Sequence, residues 1–287
     1  MQFANAAVEI AREAGAMLAE NLRGPRTVEF KSTPVDAVTD MDRRVESFVV
    51  SELRKRFPDH AILGEEGTAV VGTGQKGTPP RYRWHVDPLD GTNNYLHRFP
   101  WFAVSLGLEE VDASSPVRRI VAGAVYHVML DEMFWAERDQ GAWLNGERLQ
   151  VSSEDCLERA LLVTGFPYWA NGHPRTLMDN LEQFMQKAQG IRRTGSAALD
   201  LAYVASGRFD GYWEEGVKTW DVAAGTLLVR EAGGVVSDYD GQHVAMPTVH
   251  IVAGNPGIHG QMVQMLRGNY RDASPRSEAS TSPLSAR

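Results

Sequence analysis

The pattern of hydrophobic positions predicts that two amphipathic helices lie near the start of the chain. Residues 2–22 carry apolar side chains three or four positions apart, and Gly24-Pro25 ends this helix. A second run with helical spacing follows Asp42 and stops at Pro58. Between them, residues 28–42 predict a strand, a turn and a second strand or helix start. The first helix carries no residue that indicates chemistry, so we interpret it as a packing helix.

Apolar stretches of β-forming residues predict a mostly antiparallel sheet in the middle of the chain. Phe102–Leu108, Ile120–Met129 and Glu132–Ala136 are such stretches, and Asn145-Gly146 predicts a hairpin turn after them. Residues 68–83 are rich in Gly, Thr and Pro and predict a loop, either a surface connector or a segment that closes over a site. Further strands and helices are predicted at residues 160–165, 174–189, 196–206, 221–231, 249–253 and 257–266.

The stretch from Trp84 to Leu108 contains the most informative local pattern. Its first apolar run is interrupted only by His85 and predicts a short buried strand. This strand is expected to end at Asp87, because the proline that follows removes a backbone donor. Gly91 permits a tight turn, and Thr92 with the two asparagines after it is expected to cap a short helix.

Asp87 and Asp90 place two carboxylates three residues apart, with the carbonyl of Leu89 between them. Magnesium prefers such hard oxygen ligands and usually keeps water and substrate phosphate in its remaining positions. The N–H groups of Gly91 and Thr92 are expected to face an anion at the start of the short helix. Asp-Pro and Asp-Gly are also common turn dipeptides, so the shorter D-P-x-D string fits an ordinary turn equally well. The whole string D-P-L-D-G-T is far more specific.

Composition narrows the classes of protein that fit this pattern. The chain has 287 residues, of which 43% are hydrophobic, which is ample for a large core. Its net charge of −8 argues against non-specific nucleic-acid binding, yet a bound metal ion would still allow phosphate binding. A single cysteine, Cys156, excludes an internal disulfide and a Cys-based zinc site. No N-terminal apolar run suits a signal peptide or membrane span, so we expect a soluble cytoplasmic protein with no membrane partner.

The D-P-L-D-G-T string, together with three further motifs, resembles the inositol monophosphatase family of magnesium-dependent, lithium-sensitive phosphatases. The resemblance extends over nearly the whole chain. It implies an α/β (α+β layered) fold, the αβαβα sandwich shared with fructose-1,6-bisphosphatase, and it suggests a homodimer. We expect one phosphatase domain over residues 1–268, with sub-regions of about 1–150 and 151–268. The Ser/Pro-rich residues 269–287 predict a disordered tail.

Two of the further motifs place acidic residues beside the central string. By resemblance, Asp42 lies near the catalytic centre, bonded to the Thr92 hydroxyl and close to a weakly held metal, while Lys31 lies at the rim. Alone, both would be surface charges, and an acid at a helix start is a frequent cap. In the G-E-E motif, the resemblance implies that Glu65 bridges to the metal and orients the attacking water. Glu66 is a weaker metal candidate, and the pair alone is typical of a solvated turn.

The G-S-A turn and a glutamate after it are the expected substrate contacts. Ser196 is a good helix N-cap on its own, and the family uses Gly195, Ser196 and Ala197 to contact sugar or inositol hydroxyls. Glu214 matches the position at which inositol phosphatases accept hydrogen bonds from substrate hydroxyls. Lys218 lies nearby in the sequence and is a weaker candidate for ligand contact.

The last motif, W-D-x-A-A-G, makes Asp221 a metal ligand by resemblance, although an Asp in a first helical turn is ordinarily a cap. Five carboxylates from separated segments are then expected to meet, those of Asp42, Glu65, Asp87, Asp90 and Asp221. They would repel one another strongly unless cations neutralised them. We therefore expect two to three Mg²⁺ ions. One would be held by Glu65, Asp87 and the Leu89 carbonyl and would activate a water aimed by Glu65 and Thr92. A second, held by Asp87, Asp90 and Asp221, would stabilise the leaving alkoxide.

These expectations describe a Mg²⁺-dependent phosphomonoesterase that hydrolyses inositol monophosphate directly, without a phosphoenzyme. The substrate-binding residues would be Asp90, Gly91, Thr92, the G-S-A turn, Glu214 and Asp221. One alternative is a broader sugar or polyol phosphatase that includes fructose-1,6-bisphosphate among its substrates. Nucleotide 3′-phosphatase and histidinol-phosphatase relatives usually carry a charge where this chain has Asn93, which weakens both readings. An alternative of another class is an interaction protein associated with the transcription machinery, with no direct nucleic-acid contact.

Overall fold

The computed structural model describes residues 1–25, 27–30, 37–72, 80–111, 119–167, 174–242 and 250–272. Three predicted features therefore lie wholly or partly outside the described residues. They are Lys31, residues 73–79 of the expected 68–83 loop, and residues 273–287 of the expected tail.

The described residues form seven α-helices and fifteen β-strands. The helices are α1 Gln2–Asn21, α2 Asp40–Arg56, α3 Thr92–Leu96, α4 Pro174–Lys187, α5 Ala197–Ala205, α6 Thr219–Glu231 and α7 Pro256–Asp272. The strands of the first half are β1 Val28–Phe30, β2 Ala37–Thr39, β3 Ala61–Gly64, β4 Ala69–Val70, β5 Tyr82–Asp90, β6 Ala103–Glu110, β7 Arg119–His127, β8 Glu132–Glu137, β9 Ala142–Leu144 and β10 Glu147–Arg148. Those of the second half are β11 Leu161–Thr164, β12 Gly190–Arg192, β13 Gly211–Glu215, β14 Val235–Ser237 and β15 His250–Gly254.

Two large sheets and a separate β1–β2 pair contain these strands. The larger sheet has the order β10-β9-β8-β7-β6-β5-β3-β4, and only the β3–β5 pair in it is parallel. The expectation of a mostly antiparallel sheet in mid-chain is therefore confirmed. The smaller sheet has the order β12-β11-β13-β15-β14, and it is parallel around β11 and antiparallel around β15.

Helices and sheets alternate in five layers. Helices α1 and α2 pack on one face of the larger sheet, and α5 and α6 lie between the two sheets. Helices α4 and α7 cover the outer face of the smaller sheet. The buried hydrophobic residues form three clusters, one on the α1–α2 face, one around α5 and α6, and one beneath α4 and α7. The predicted αβαβα layered fold is confirmed.

Local sequence signals explain several element ends. Asn145 (φ 49°) and Gly146 (φ 91°) form the predicted turn between β9 and β10, because both positions require the left-handed region that these residues tolerate. Helix α2 is capped by Thr39, whose hydroxyl accepts the N–H of Met41. The sequence alone also allows an acidic residue to be the N-cap of α2, but in the structure the N-cap is Thr39. The acid contributes in the reverse direction, because Asp42 accepts the N–H of Thr39 in a capping box.

Two glycines allow helix α6 to approach the larger sheet closely. Gly107 on β6 and Gly123 on β7 are cross-strand neighbours. A Cβ added to Gly107 would lie 2.7 Å from the Cβ of Ala223 and 2.9 Å from the backbone nitrogen of Ala224. A Cβ on Gly123 would lie 3.0 Å from the Cα of Ala224. These neighbours are backbone atoms and a Cβ atom of α6, so they cannot move aside unless the whole helix moves.

We predict that Gly107→Ala lowers the free energy of unfolding by about 1–3 kcal/mol, because the added methyl group overpacks the contact with α6. Urea-induced unfolding followed by circular dichroism measures this change. Gly260→Ala is the matched control, since its added Cβ on α7 meets nothing within 4 Å. The control should stabilise the protein by about 0.4–1 kcal/mol. Equal effects of the two substitutions would contradict the close approach at Gly107.

Candidate metal and phosphate site

The strand that carries the D-P-L-D string is longer than its sequence predicts. Strand β5 continues to Asp90 rather than ending at Asp87, and its pairing with β6 shifts register between these two residues. Pro88 occupies this irregular part, where a residue without an N–H is tolerated. The Oδ1 atom of Asp87 accepts the N–H of Leu89 at 3.0 Å, which holds the carboxylate at the bulge.

Gly91, and not Thr92 or an asparagine, is the cap of the short helix α3. Gly91 has φ 96°, and an added Cβ would lie 3.0 Å from the carbonyl oxygen of Trp101, so the position requires glycine. No side chain caps the helix, and Thr92 is its first residue. Asn94 instead donates through Nδ2 to the carbonyls of Trp101 (2.8 Å) and Thr194 (2.9 Å). The expected capping role was wrong because these longer-range acceptors take the asparagine side chain.

Asp42 connects the start of α2 to the central turn. Its Oδ2 atom accepts the N–H and the hydroxyl of Thr39, at 2.8 and 2.6 Å. Its Oδ1 atom lies 3.0 Å from Oγ1 of Thr92, which is also 3.1 Å from the carbonyl oxygen of Leu89. The contact with Thr92 implied by the family resemblance is therefore present. Burial raises the pKa of Asp42, although the hydrogen bonds from Thr39 oppose that shift.

The G-E-E turn is held by a buried carboxylate that the sequence reading missed. Glu65 follows β3, and its N–H donates to the carbonyl of Val86 on β5 at 3.1 Å. The carboxylate of Glu46, which is only 3% exposed, accepts the N–H of Glu66 at 2.8 Å and the hydroxyl of Thr68 at 2.5 Å. Glu46 lies four residues after Asp42 on α2, so the two side chains are on the same face of the helix. This spacing was the sequence signal that could have placed Glu46 near the site.

Ser196 serves two purposes at the start of α5. Its Oγ atom caps the helix by accepting the N–H of Leu199 at 3.3 Å, as the sequence predicts. The same hydroxyl donates to Oδ2 of Asp90 at 2.6 Å, and the N–H of Ala198 donates to that oxygen at 2.7 Å. Asp90 is thus held by the first turn of a helix that begins more than a hundred residues later.

Asp221 lies in the first turn of α6, as the sequence predicts. Its Oδ2 atom accepts the backbone N–H of Lys218 at 2.6 Å, so the ordinary capping contact is present. Glu214 is on β13, and its Oε2 atom accepts the hydroxyl of Tyr212 at 2.7 Å. The side chain of Lys218 is exposed and is not part of the pocket that contains Asp221 and Glu214.

These segments meet at one pocket with a volume of about 90 Å³. Its described lining residues are Ala37, Glu65, Asp87, Leu89, Asp90, Gly91, Thr92, Gly165, Phe166, Arg193, Gly195, Ser196, Ala197, Glu214 and Asp221. Of the candidate residues, Asp42 lies behind Thr92 outside the lining, Glu66 is also outside it, and Lys31 is outside the described part of the chain. The sequence reading missed Phe166 and Arg193. Arg193 lies two residues before the G-S-A turn, and this closeness was its only signal.

Burial and mutual repulsion raise the pKa values of the pocket carboxylates. For Asp87 the main cause is burial, followed by the charges of Glu65, Asp90 and Asp221. Burial, and then the charge of Glu65, raises the pKa of Asp221 well above its ordinary value. The pKa of Asp90 rises to about 6 through burial, even though the hydrogen bond from Ser196 opposes the shift. Burial also raises the pKa of Glu214 to about 7.

The donor set of this pocket fits a hard divalent cation. Five carboxylates line it, those of Glu65, Asp87, Asp90, Glu214 and Asp221, and the Leu89 carbonyl lies among them. As the side chains are placed, no group of three or more acidic, histidine or cysteine residues in the described ranges is arranged to hold a metal ion. The chemistry and charge of these residues suit a divalent cation, and coordination would require the carboxylates to turn further toward a common point.

Comparison with known proteins agrees with this fold. The family model described as the inositol monophosphatase family matches residues 1–270. The chain is 43% identical over 273 residues to Nus factor SuhB of Escherichia coli K12, covering 95% of this chain and 98% of the relative. It is 40% identical over 264 residues to inositol-1-monophosphatase of Mesorhizobium japonicum, covering 92% and 95%. The crystal structure of extragenic suppressor protein suhB from Bartonella henselae superposes with a TM-score of 0.85 at 40% identity, covering 93% and 99%.

The five-layered fold and the match to a phosphatase family define the class of protein as a layered α/β phosphatase. The chain belongs to the inositol monophosphatase family. Members of this family are in general metal-dependent. None of the helices in the described ranges is long and apolar enough to span a bilayer.

We predict that Glu214→Gln stabilises the metal-free protein relative to wild type increasingly as the pH rises from 5 to 8. The folded-state pKa of Glu214 is about 7, above its ordinary value of 4.5, so folding favours the protonated form. Its contribution to stability is thus complete below about pH 4.5 and is lost as the pH rises through about 7. Glutamine keeps the uncharged form at every pH. Melting temperatures in EDTA measure the difference between variant and wild type.

The exposed Glu182 on α4 provides the matched control for this measurement. Glu182→Gln should leave the melting temperature close to wild type throughout the same pH range. A difference between Glu214→Gln and wild type that shrinks or stays constant with rising pH would contradict the raised pKa of Glu214.

Proposed function

We propose that this protein is a Mg²⁺-dependent phosphomonoesterase that hydrolyses inositol monophosphate to inositol and phosphate. The observation that carries the proposal is one pocket lined by four carboxylates from three separated segments, Glu65, Asp87 with Asp90, and Asp221. Such a concentration of buried negative charge repels a phosphate ester unless cations are present. An oxygen-lined acidic pocket therefore suits metal-assisted phosphate chemistry better than direct recognition of an anion by the protein.

The proposed metal ligands are the residues that line the acidic side of this pocket. Glu65, Asp87 and the Leu89 carbonyl would hold one Mg²⁺, and Asp87, Asp90 and Asp221 a second. A third, weaker ion near Glu65 is part of the proposal. When bound, these ions supply positive charge that neutralises the carboxylates and polarises the phosphate oxygens.

Thr92 and Glu65 are proposed to orient the attacking water. The Thr92 hydroxyl has a single proton, which it donates to Asp42 or to the Leu89 carbonyl. Its oxygen then remains available to accept a hydrogen bond from a water molecule in the pocket. Glu65 would accept the second proton of that water, so that the oxygen lone pair faces phosphorus.

Direct attack by water is favoured over a phosphoenzyme. Two hydroxyl side chains, Thr92 and Ser196, belong to the described pocket lining. Each of them already donates its proton within the protein, Thr92 as above and Ser196 to Asp90 at 2.6 Å. The carboxylates bonded to these hydroxyls, Asp42 and Asp90, also accept backbone N–H groups, so we infer that they hold the site in place rather than activate a nucleophile.

Other lining residues are proposed to bind the substrate hydroxyls. Glu214 lines the same pocket as the turn formed by Gly195, Ser196 and Ala197 and presents a carboxylate acceptor. Because Asp90 and Asp221 also line the pocket, they can accept hydrogen bonds from hydroxyls next to the ester. Gly91 and Thr92 N–H groups would contact the phosphate. Inositol, a ring with a hydroxyl on every carbon, suits this set of acceptors.

A broader sugar or polyol phosphatase activity is the alternative within the same chemistry. Arg193 is the cationic side chain among the described lining residues, and its guanidinium lies 5.8 Å from the ring centre of Phe166. A bisphosphate such as fructose-1,6-bisphosphate would place a second anion within reach of such a group.

The proposal also includes one phosphatase domain over residues 1–268, a cytoplasmic location and a homodimer.

We predict that Asp90→Asn and Asp221→Asn each lower kcat for inositol-1-phosphate at saturating Mg²⁺ by at least about 100-fold. Loss of groups that only support metal ligands costs 10–100-fold, so the loss of a ligand should reach or exceed that range. Phosphate release measured with malachite green, with and without Mg²⁺ and Li⁺, gives the rates. Asp179→Asn, on the exposed face of α4, is the control and should retain wild-type activity.

Near-wild-type turnover in both pocket variants would contradict the proposed function. The same assay with a panel of substrates distinguishes an inositol monophosphatase from a broader sugar or polyol phosphatase. The highest kcat/KM for inositol-1-phosphate supports the narrow proposal, and a higher value for fructose-1,6-bisphosphate or another polyol phosphate supports the broader one.

A second proposed role is association with the transcription machinery. The observation behind it is that relatives 43% identical over nearly their whole length are named Nus factor SuhB. The net charge of −8 favours contact with a protein partner over direct contact with nucleic acid.

We predict that Asp90→Asn, although inactive as a phosphatase, captures transcription proteins as well as wild type does. The substitution changes a side chain inside the pocket and leaves the surface unaltered. Affinity purification of tagged wild-type and variant protein, compared by quantitative mass spectrometry, measures this. Absence of transcription proteins from both samples would contradict the second role.

A further inference from the structure

A buried histidine that the proposed chemistry does not use lies directly behind the site. His85 is on β5, two residues before Asp87, and its side chain is 0% exposed. Side chains two residues apart on a strand project from the same face of the sheet. His85 and Asp87 therefore both project toward the layer that contains helix α6. A fully buried imidazole in an apolar run needs hydrogen-bond partners.

Both ring nitrogens of His85 have such partners on other elements. Nε2 lies 2.8 Å from Oε2 of Glu109 on β6, and Nδ1 lies 3.1 Å from Oγ1 of Thr219. Glu109 is itself only 3% exposed, and Nη1 of Arg83 lies 3.7 Å from the same carboxylate oxygen. Thr219 is the first residue of α6 and precedes Asp221 by two positions. A continuous polar contact thus joins strands β5 and β6 to the helix that carries Asp221.

Hydrogen-bond chemistry assigns a direction to this contact. A carboxylate only accepts, so Nε2 of His85 carries the proton that is donated to Glu109. Nδ1 accepts the hydroxyl proton of Thr219 in the neutral imidazole and donates to the same oxygen in the imidazolium form. In both forms the row Glu109, His85, Thr219 is joined by directional hydrogen bonds. Directional contacts of this kind fix rotation as well as distance.

Close contact at Gly107 and Gly123 sets how near α6 lies to the larger sheet. Hydrophobic attraction itself is non-directional, so polar contacts at the first turn of α6 add to what fixes its rotation. Besides the contact at Thr219, the carbonyl of Trp220 accepts the Ser105 hydroxyl at 3.5 Å. We propose that His85 is a positioning residue that, through Thr219, holds the first turn of α6 so that Asp221 faces the same ion as Asp87. The proposal rests on the proposed metal-binding role of Asp87 and Asp221.

Removing the Thr219 hydroxyl tests this proposal with little change of shape. In Thr219→Val, we expect the affinity of the metal-free protein for Mn²⁺ to fall at least tenfold, because groups that orient metal ligands typically contribute 10–100-fold. The electron paramagnetic resonance signal of free Mn²⁺ measures binding of the metal alone. The Mg²⁺ concentration for half-maximal phosphate release should rise by a similar factor, with KM for inositol-1-phosphate at saturating Mg²⁺ within about twofold of wild type.

Three companion variants separate positioning from general stability. Thr219→Ser restores the hydroxyl and should bring Mn²⁺ affinity back to within about twofold of wild type. Thr226→Val is the matched control, because this buried threonine of the same helix donates only to the carbonyls of Val222 and Ala223. It should lower the melting temperature and leave Mn²⁺ affinity unchanged. Thr219→Ala, which also lacks the hydroxyl, carries the same expectation as Thr219→Val if the valine variant folds poorly.

The outcomes distinguish this proposal from the proposed function. Wild-type Mn²⁺ affinity in Thr219→Val or Thr219→Ala, or an equal loss in Thr226→Val, would overturn the positioning role of His85. If Asp221→Asn in the same titration also binds Mn²⁺ like wild type, the metal site itself is wrong. If Asp221→Asn loses binding and the Thr219 variants do not, only the positioning role fails.

Discussion

The structure depends on keeping several like charges together in one buried pocket. Asp87, Asp90 and Asp221 repel one another and Glu65, and burial removes water from the three aspartates, so the pKa of each aspartate is raised. Each of the three aspartates also accepts at least one backbone N–H, from Leu89, Ala198 or Lys218. These bonds offset part of the desolvation cost and hold the carboxylates in place. The remaining unfavourable charge is what makes the pocket suited to divalent cations.

The layered fold brings these charges together by joining the ends of its elements. The pocket lies where β3 and β5 end and where α5 and α6 begin. The middle helical layer is therefore the decisive one, because both of its helices direct their first turns at the strand that carries the D-P-L-D string. Its close approach to the larger sheet depends on missing side chains at Gly107 and Gly123. The same position of α6 therefore requires the two glycines on the sheet and brings Asp221 to the pocket.

Buried polar side chains behind the pocket add direction to this packing. Glu46 holds the turn after Glu65, and Asp42 connects the cap of α2 to Thr92. His85 joins β5 to the start of α6. Each of these groups satisfies backbone or side-chain donors that would otherwise be buried without partners. The same side chains therefore stabilise the fold and limit the directions in which the pocket residues face.

The sequence by itself determined the layered α/β class, the first helix, the mostly antiparallel sheet, the Asn145-Gly146 turn and the cap at Ser196, because these depend on periodicity, turn preferences and a long motif resemblance. It also pointed to the pocket residues of the D-P-L-D-G-T string. Only the tertiary structure decided that β5 continues through a bulge to Asp90, that Gly91 caps α3, and that Glu46, His85 and Arg193 lie around the site. Those features arise mainly from contacts between residues far apart in the chain. Local spacing placed Glu46 and Arg193 near motif residues, but it contains no information about the distant groups that they contact.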